Sequence, residues 1–299
     1  MDTDVAGVVI THPDKVLWPA TDATTAVTKL DLARYYQAAA DHILPHIAGR
    51  PLSIVRAPDG IGGKHFFQRH AGTAPMRSIE IAGEEKPFVA IETEAELVGL
   101  AQAAVLEIHP WGSRPNEPDV PERLIFDLDP APDVAFSAVM AAAKEIRTRL
   151  EACGLVAFVK TTGGKGLHVV APIKGTTGKP VTWAACSDFA KAFGRVMEAE
   201  SPARYTTKLA KAARNGKIFI DYLRNERAAT AVAPWSPRAR PSAPVSVPIS
   251  WVQLRAGFDP RKFLLARTGP LLLRPDPWQS FWISSKSLDA AHKKLLADH

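Results

Sequence analysis

Asp127 and Asp129 lie two apart in the run Leu-Ile-Phe-Asp-Leu-Asp-Pro at 124–130. Alternation along a strand sends both carboxylates to the same face of a sheet. A lone Asp-x-Asp commonly serves as a cap or surface turn, but Ile125, Phe126 and Leu128 place this one in an apolar strand. Two carboxylates there repel each other unless a cation lies between them, and burying them uncompensated is costly. Hard divalent ions such as Mg²⁺ or Mn²⁺ take oxygen ligands of this kind and keep positions for substrate phosphates. Asp221, in Lys-Ile-Phe-Ile-Asp-Tyr-Leu at 217–223, repeats the setting and offers a third carboxylate. Three such groups predict two metal ions about 3.5–4 Å apart, suited to in-line displacement at phosphorus.

Thr-Gly-Gly-Lys-Gly-Leu-His at 162–168 supplies the other half of phosphate chemistry. It lacks the P-loop spacing, and a plain glycine hairpin would explain Gly163, Gly164 and Gly166. Lys165 and His168 add donors for phosphate oxygens. A basic stretch also precedes and follows Asp221: Arg204, Lys208, Lys211, Arg214, Lys217, Arg224 and Arg227. On a helix, Lys208, Lys211 and Arg214 would form one ridge, able either to hold a DNA backbone or simply to face solvent.

The elements that must position these groups read as follows. A helix is predicted over 29–47, capped by Thr28, and short strands over 50–57 and 65–68 around the turn Asp59-Gly60-Ile61-Gly62-Gly63. A second helix is predicted from Leu97 to Glu107, then a turn at His109-Pro110-Trp111-Gly112. Strand 123–128 follows, then a helix from Phe136 to Cys153 stopped by Gly154. Strands near 155–161 and 167–173 flank the glycine loop. A helix covers 182–199, and a strand near 217–223 carries Asp221. Five prolines make 234–248 an extended loop. This order predicts an α+β (mixed α/β) fold, two lobes with mixed or antiparallel sheets around a central cleft.

Bulk composition agrees with a folded enzyme. The 299 residues are 46% hydrophobic, ample for a core. Cys153 and Cys186 are too few for a disulfide framework, which points to a reducing compartment. No apolar run approaches a membrane span, and the acidic start Met-Asp-Thr-Asp is unlike a signal peptide. Lysine and arginine exceed acids 37 to 31, giving a net charge of +6, weak evidence of nucleic acid taken alone.

Phe-Asp-Leu-Asp-Pro, Thr-Gly-Gly-Lys-Gly-Leu-His and Ile-Phe-Ile-Asp-Tyr together resemble the polymerase module of bacterial ligase D, of the archaeo-eukaryotic primase superfamily, which acts in non-homologous end joining. The resemblance covers nearly the whole chain, 1–299, as a single primase-polymerase domain. It implies that Asp127, Asp129 and Asp221 bind the catalytic metals, with a preference for Mn²⁺. It also implies that Thr162, Lys165, Gly166 and His168 bind the incoming nucleotide, with Thr162 standing where serine is usual. The opening His12-Pro13-Asp14-Lys15-Val16-Leu17-Trp18-Pro19, with Thr28-Lys29-Leu30-Asp31, is similar to the family's N-terminal signature. There two lysines, matched by Lys15 and Lys29, bind the 5′-phosphate of a downstream strand. Phe66 and Phe67 match an aromatic pair that stacks at the template base. Neighbours on a strand point to opposite faces, so one can be core while the other meets a base. Arg56, His109, Arg214, Arg238 and Arg240 match positions near the nucleotide.

The resemblance implies extension of a DNA 3′ end at gaps or double-strand breaks with ribo- or deoxyribonucleotides. Its implied partners are 5′-phosphorylated DNA, a Ku-type end-binding protein and a ligase domain. Its implied location is the bacterial cytoplasm, at the nucleoid. Two rivals stay open at this point. A phosphatase of haloacid-dehalogenase type also starts from an apolar strand ending in Asp-x-Asp, but at the head of its domain. A non-catalytic DNA-end binding module would leave the acidic residues idle.

Overall fold

The structure is a computed structural model, and it describes residues 2–71 and 76–297. The chain divides into two units, Met1–Asn116 with Thr230–Val247 and Pro260–Asp276, and Glu117–Ala229 with Pro248–Asp259 and Pro277–His299.

In the first unit, Thr28 and Asp31 form a capping box that starts α1 (Lys29–Ala38). The expected single helix over 29–47 is two, because Ala39 leaves helical geometry (φ −95°, ψ 1°) before α2 (Ala40–Ile47). The apolar spacing hides this break: Leu32, Tyr36, Ile43 and Ile47 are all fully buried, at intervals one continuous helix would also give. The central strand β1 (Leu52–Arg56) pairs antiparallel with β2 (Phe66–Gln68). A short ribbon, β3 (Ser78–Ile79) and β4 (Phe88–Val89), continues that edge.

The helix expected from Leu97 to Glu107 is corrected to α3 (Glu94–Gln102) followed by β5 (Val105–Pro110), which pairs along β1. A capping box between Thr93 and Glu96 starts the helix early. Ala104, at φ 54°, then turns the chain into the strand. Glu107 and His109 thereby become strand residues, two apart on one face.

The second unit is built on a seven-stranded sheet in which β6 (Arg123–Pro130), β7 (Phe158–Thr161) and β8 (Leu167–Lys174) are central. The order is β9 (Tyr205–Thr206), β10 (Ile218–Asp221), β6, β8, β7, β11 (Pro248–Ile249), with β12 (Lys286–Ser287) beside β8. All pairings are antiparallel except β9 with β10 and β8 with β12. Helices α4 (Phe136–Ala152) and α5 (Trp183–Glu200) pack on this sheet, with Phe126 against Phe193 at 4.8 Å between ring centroids. On the opposite face Ile125, Phe158 and Val170 lie under Trp278 and Phe281. The C-terminal helix α6 (Leu288–Ala297) lies against α5.

The expected helical basic ridge is also corrected. Lys208 sits on an irregular stretch, and only Lys211–Arg214 coils, as a 3₁₀ turn. Three residues per turn align Lys211 with Arg214, but Lys208 is outside that alignment. The proline-rich stretch 234–248 is irregular as expected until Pro248 enters β11, and much of it is buried, Trp235, Ser236, Val245 and Val247 among them. Among the described residues no helix is long and apolar enough to cross a membrane.

Candidate nucleotide and metal site

Strand register in the second unit assembles one row of ionisable side chains. Asp221 on β10 stands opposite Asp127 on β6, Asp127 opposite His168 on β8, and His168 opposite Lys160 on β7. Directly opposed residues share a face, so two acids, an imidazole and an ammonium cross four strands in line. Asp129 follows Asp127 by two and joins that face nearer the strand end, its side chain 61% exposed.

Arg224 lies across the acidic end of the row. Its Nε is 3.5 Å from Asp127 Oδ2 and its Nη2 is 3.2 Å from Asp221 Oδ2. Asn225 holds the adjoining turn: its Oδ1 accepts from Ile125 N at 2.8 Å, and its Nδ2 donates to Ile125 O at 2.8 Å and Tyr222 O at 2.9 Å. Asp129 meets a different cation, Arg214 Nη1 at 3.4 Å, whose guanidinium lies 3.7 Å from the Phe219 ring centroid.

Burial would raise the Asp127 carboxyl, but the charge and hydrogen bond of His168 and the charge of Arg224 outweigh it and hold it at about 2. Burial raises the Asp221 carboxyl, against a partial opposing pull from Arg224. Burial, then the charge of Lys160, lowers His168 to about 4, with Asp127 opposing. His168 is therefore uncharged at neutral pH, with Nε2 at 3.3 Å from Asp127 Oδ1 and its buried Nδ1 without a hydrogen-bond partner among the described residues.

The glycine loop joins β7 to β8 beside this row. Thr162 is buried and donates through Oγ1 to Gly166 O at 3.2 Å, while Lys165 is exposed. A Cβ on Gly166 would lie 2.2 Å from Leu128 O. The glycine thus lets the loop pass against the strand that bears both aspartates.

Among the described residues, no three His, Cys, Asp or Glu side chains are already gathered as a metal's ligand set. Asp127 and Asp221 instead share a guanidinium, and Asp129 is drawn to Arg214. The donor chemistry nevertheless fits a hard divalent ion: two carboxylates are forced side by side by register, and a cation already lies against both.

The first unit holds the remaining predicted residues. Lys29 is buried, with Nζ on Thr11 O at 2.9 Å, and its backbone N–H donates to Lys15 O at 2.9 Å. Burial and the Lys15 charge lower its pKa. Lys15 itself pairs with Asp59 at 3.2 Å. Arg56 donates through Nε to Ala103 O at 3.0 Å and through Nη1 to Gln68 at 3.2 Å.

The expectation that one of Phe66 and Phe67 is core is corrected. Both are exposed, 43% and 57%. Their faces do differ. Phe66 is opposite Arg56, whereas Phe67 is opposite Val55, which faces Glu107. The Phe67 and His109 rings lie 6.4 Å apart. Glu107 in turn accepts from His109 Nε2 at 2.8 Å and lies 3.0 Å from Arg238 Nε, bringing those two residues together. Arg240 is exposed, two residues beyond Arg238.

Sequence reasoning missed Glu107, Lys160 and Asn225 and counted Arg224 only as one basic residue among seven. The i,i+2 spacing of Glu107 with His109 was an available signal once that segment was read as a strand. Lys160 had a similar one, opposite the loop's histidine across a hairpin.

The model of the LigD primase-polymerase domain matches residues 28–278. The multifunctional non-homologous end joining protein LigD of Pseudomonas aeruginosa is 35% identical over 300 residues, covering 97% of this chain and 35% of that protein. The multifunctional non-homologous end joining DNA repair protein LigD of Mycobacterium tuberculosis is 34% identical over 288 residues, 90% of this chain and 37% of that protein. The chain thus spans about a third of the length of these relatives. The solved polymerase domain of Mycobacterium tuberculosis ligase D, in complex with DNA, superposes with a TM-score of 0.82 at 31% identity, covering 92% of this chain and 98% of that one. The matched span contains the opposed aspartates and the glycine loop that abuts them, and the chain belongs to the LigD primase-polymerase domain family.

Proposed function

We propose that this chain is a nucleotidyltransferase that extends a DNA 3′ end with ribo- or deoxyribonucleotides at gaps and double-strand breaks. The observation that carries this reading is the row Asp221–Asp127–His168–Lys160 beside the glycine loop. Two Mn²⁺ or Mg²⁺ ions, held by Asp127, Asp221 and Asp129, would supply activation of the primer hydroxyl and neutralisation of charge on the leaving pyrophosphate.

The protein's own groups do the rest. His168, uncharged, presents a buried Nδ1 with no hydrogen-bond partner among the described residues, an atom that a nucleotide's polar group can satisfy. Lys165 and Thr162 stand on the same loop for the triphosphate, with Arg214 at the Asp129 end. Lys208 and Lys211, both exposed, suit the DNA backbone. In the other unit, Lys15 and Lys29 suit a 5′-phosphate and Phe66 or Phe67 a template base, with Arg56, His109, Arg238 and Arg240 near the nucleotide. A Ku-type protein and a ligase domain would complete end joining at the bacterial nucleoid. The phosphatase rival loses its basis: its Rossmann-like core requires parallel neighbours for the Asp-x-Asp strand, and β6 has antiparallel ones on both sides.

The test is primer extension on gapped, 5′-phosphorylated DNA with Mn²⁺ and nucleoside triphosphates. Wild type extends the primer, and Asp127→Asn loses at least 100-fold, on the order of removing one metal ligand's transition-state contribution. DNA-end binding with no metal-dependent incorporation would leave the non-catalytic reading in possession.

A further inference from the structure

We propose that Glu107 is a positioning residue for nucleotide binding, acting through His109 and Arg238. This rests on the reading that His109 and Arg238 meet the nucleotide. Glu107 is 6% exposed, in the interior of β5, where a lone carboxylate would be strongly unfavourable. Two hydrogen-bond donors and one guanidinium charge compensate it. Oε2 takes His109 Nε2 at 2.8 Å and stands 3.0 Å from Arg238 Nε, and Oε1 accepts the Ala239 backbone N–H at 2.8 Å.

An acid beside a polyanion site weakens binding by simple charge arithmetic, so its presence there calls for a compensating role. The geometry indicates what that role is. Glu107 pairs by charge with the Arg238 guanidinium, 3.0 Å from its Nε, and a fixed carboxylate on one side of that planar cation biases where its remaining N–H groups reach. It engages Nε2 of the imidazole, which fixes the ring's rotation and leaves Nδ1 on the far side. The bond to Ala239 N–H pins the backbone of the same loop. That loop is also tied by Arg238 N–H to Pro244 O at 2.8 Å and by Trp18 Nε1 to Arg238 O at 3.1 Å. Two side chains that come from positions more than a hundred residues apart in sequence are thus oriented by one carboxylate before any ligand arrives. Such preorganisation lowers the ordering cost of binding.

The test is steady-state incorporation with direct nucleotide binding by calorimetry, on wild type, Glu107→Gln and Glu107→Asp. Glu107→Gln keeps the side chain's size and removes the charge. Its KM and dissociation constant for the nucleoside triphosphate rise about tenfold, while kcat stays within threefold. Glu107→Asp keeps the charge but withdraws it by one methylene, and gives a smaller rise of the same kind; it serves alone if the glutamine variant does not fold. In an Arg238→Gln, His109→Asn background, Glu107→Gln changes KM less than twofold, because nothing remains to orient. A merely structural role would lower the melting temperature and kcat with KM unchanged, and that result overturns the proposal. So does tighter nucleotide binding by Glu107→Gln. If wild type itself neither binds nor incorporates nucleotide, the polymerase reading falls first, a different outcome from an unchanged KM in an active enzyme.

Discussion

Asn225→Ala should cost this fold far more than a single amide suggests. Strand β10 pairs with β6 only from Asp127 to Pro130. At Ile125 the backbone N–H and C=O are instead met by the Asn225 side chain, at 2.8 Å each, in the place of a further strand residue. The amide is fully buried and also closes its own turn onto Tyr222 O at 2.9 Å. Alanine removes three hydrogen bonds, each worth about 1 kcal/mol net, and strands two backbone groups whose desolvation costs about 1–3 kcal/mol each when water cannot reach them. Allowing partial rehydration, the loss is about 3–5 kcal/mol, a fall in melting temperature of roughly 5–8 °C for a chain of 299 residues unfolding as a whole. Thermal and urea denaturation followed by circular dichroism measure it. Asn225→Asp keeps the acceptor for Ile125 N–H but sets an oxygen against the Ile125 and Tyr222 carbonyls. It should be at least as damaging at neutral pH and recover in part on acidification, when the carboxyl regains a proton to donate. If Asn225→Ala is within about 0.5 kcal/mol of wild type, the range of an ordinary surface substitution, the side chain is not acting as a strand.

Gly166→Ala must push the loop off Leu128 O, which its Cβ would otherwise approach to 2.2 Å; primer extension should fall at least tenfold while far-ultraviolet circular dichroism is unchanged. Phe66→Ala and Phe67→Ala remove exposed rings, so each should leave stability within about 0.5 kcal/mol while weakening template-dependent incorporation for whichever ring stacks. Acid should destabilise the metal-free protein in two stages. Buried His168, about 4 folded against 6.5 ordinarily, contributes stability that is present above pH 6.5 and is lost as pH falls toward 4. Burial alone would raise Glu107, but the His109 hydrogen bond and the Arg238 charge bring it from 4.5 to about 2, so its contribution is lost between those values. Each is worth about 3 kcal/mol, and a urea titration from pH 7 to pH 3 that shows no loss would refute both assignments.

How far the sequence could be read depended on whether a residue's meaning was local. Asp127, Asp129 and Asp221 were legible because charges inside Ile-Phe-x-Leu and Ile-Phe-Ile runs contradict their surroundings, and contradiction is visible in one dimension. The glycine loop was legible by its composition, and the proline-rich stretch by its lack of donors. Glu107 was hidden because Leu97, Leu100, Ala101, Ala104 and Val105 keep a helical spacing across a break set by the left-handed backbone of Ala104, which alanine does not advertise. The break at Ala39, at φ −95°, was likewise hidden by apolar spacing that runs across it. Arg224, Asn225 and Lys160 acquire meaning only through register: Lys160 stands opposite His168 once the two strands flanking the glycine loop are paired in register, and nothing near Arg224 separates it from its six basic neighbours.

Register also explains why the row can be precise enough for chemistry. Side chains two apart on β6, β7 and β8 share a face, so the row two residues back from Asp127–His168–Lys160 is Ile125–Val170–Phe158. That row is covered by Trp278 and Phe281, whose rings stack at 4.9 Å, with Trp278 Nε1 donating to Val159 O at 3.1 Å. The same three strands are therefore clamped in close-packed apolar contact at one end of the face and hold the ionisable groups one step further along. Close packing resists displacement, whereas ionisable side chains alone would relax toward water or toward each other. Catalysis by fixed charges requires positions held to about 0.5 Å before the substrate binds. In this sheet the apolar row supplies the rigidity and the ionic row the field. A cavity cut in the first, as by Phe281→Ala, should therefore lower kcat through misplacement of Asp127 and His168, even though no atom of Phe281 belongs to the site.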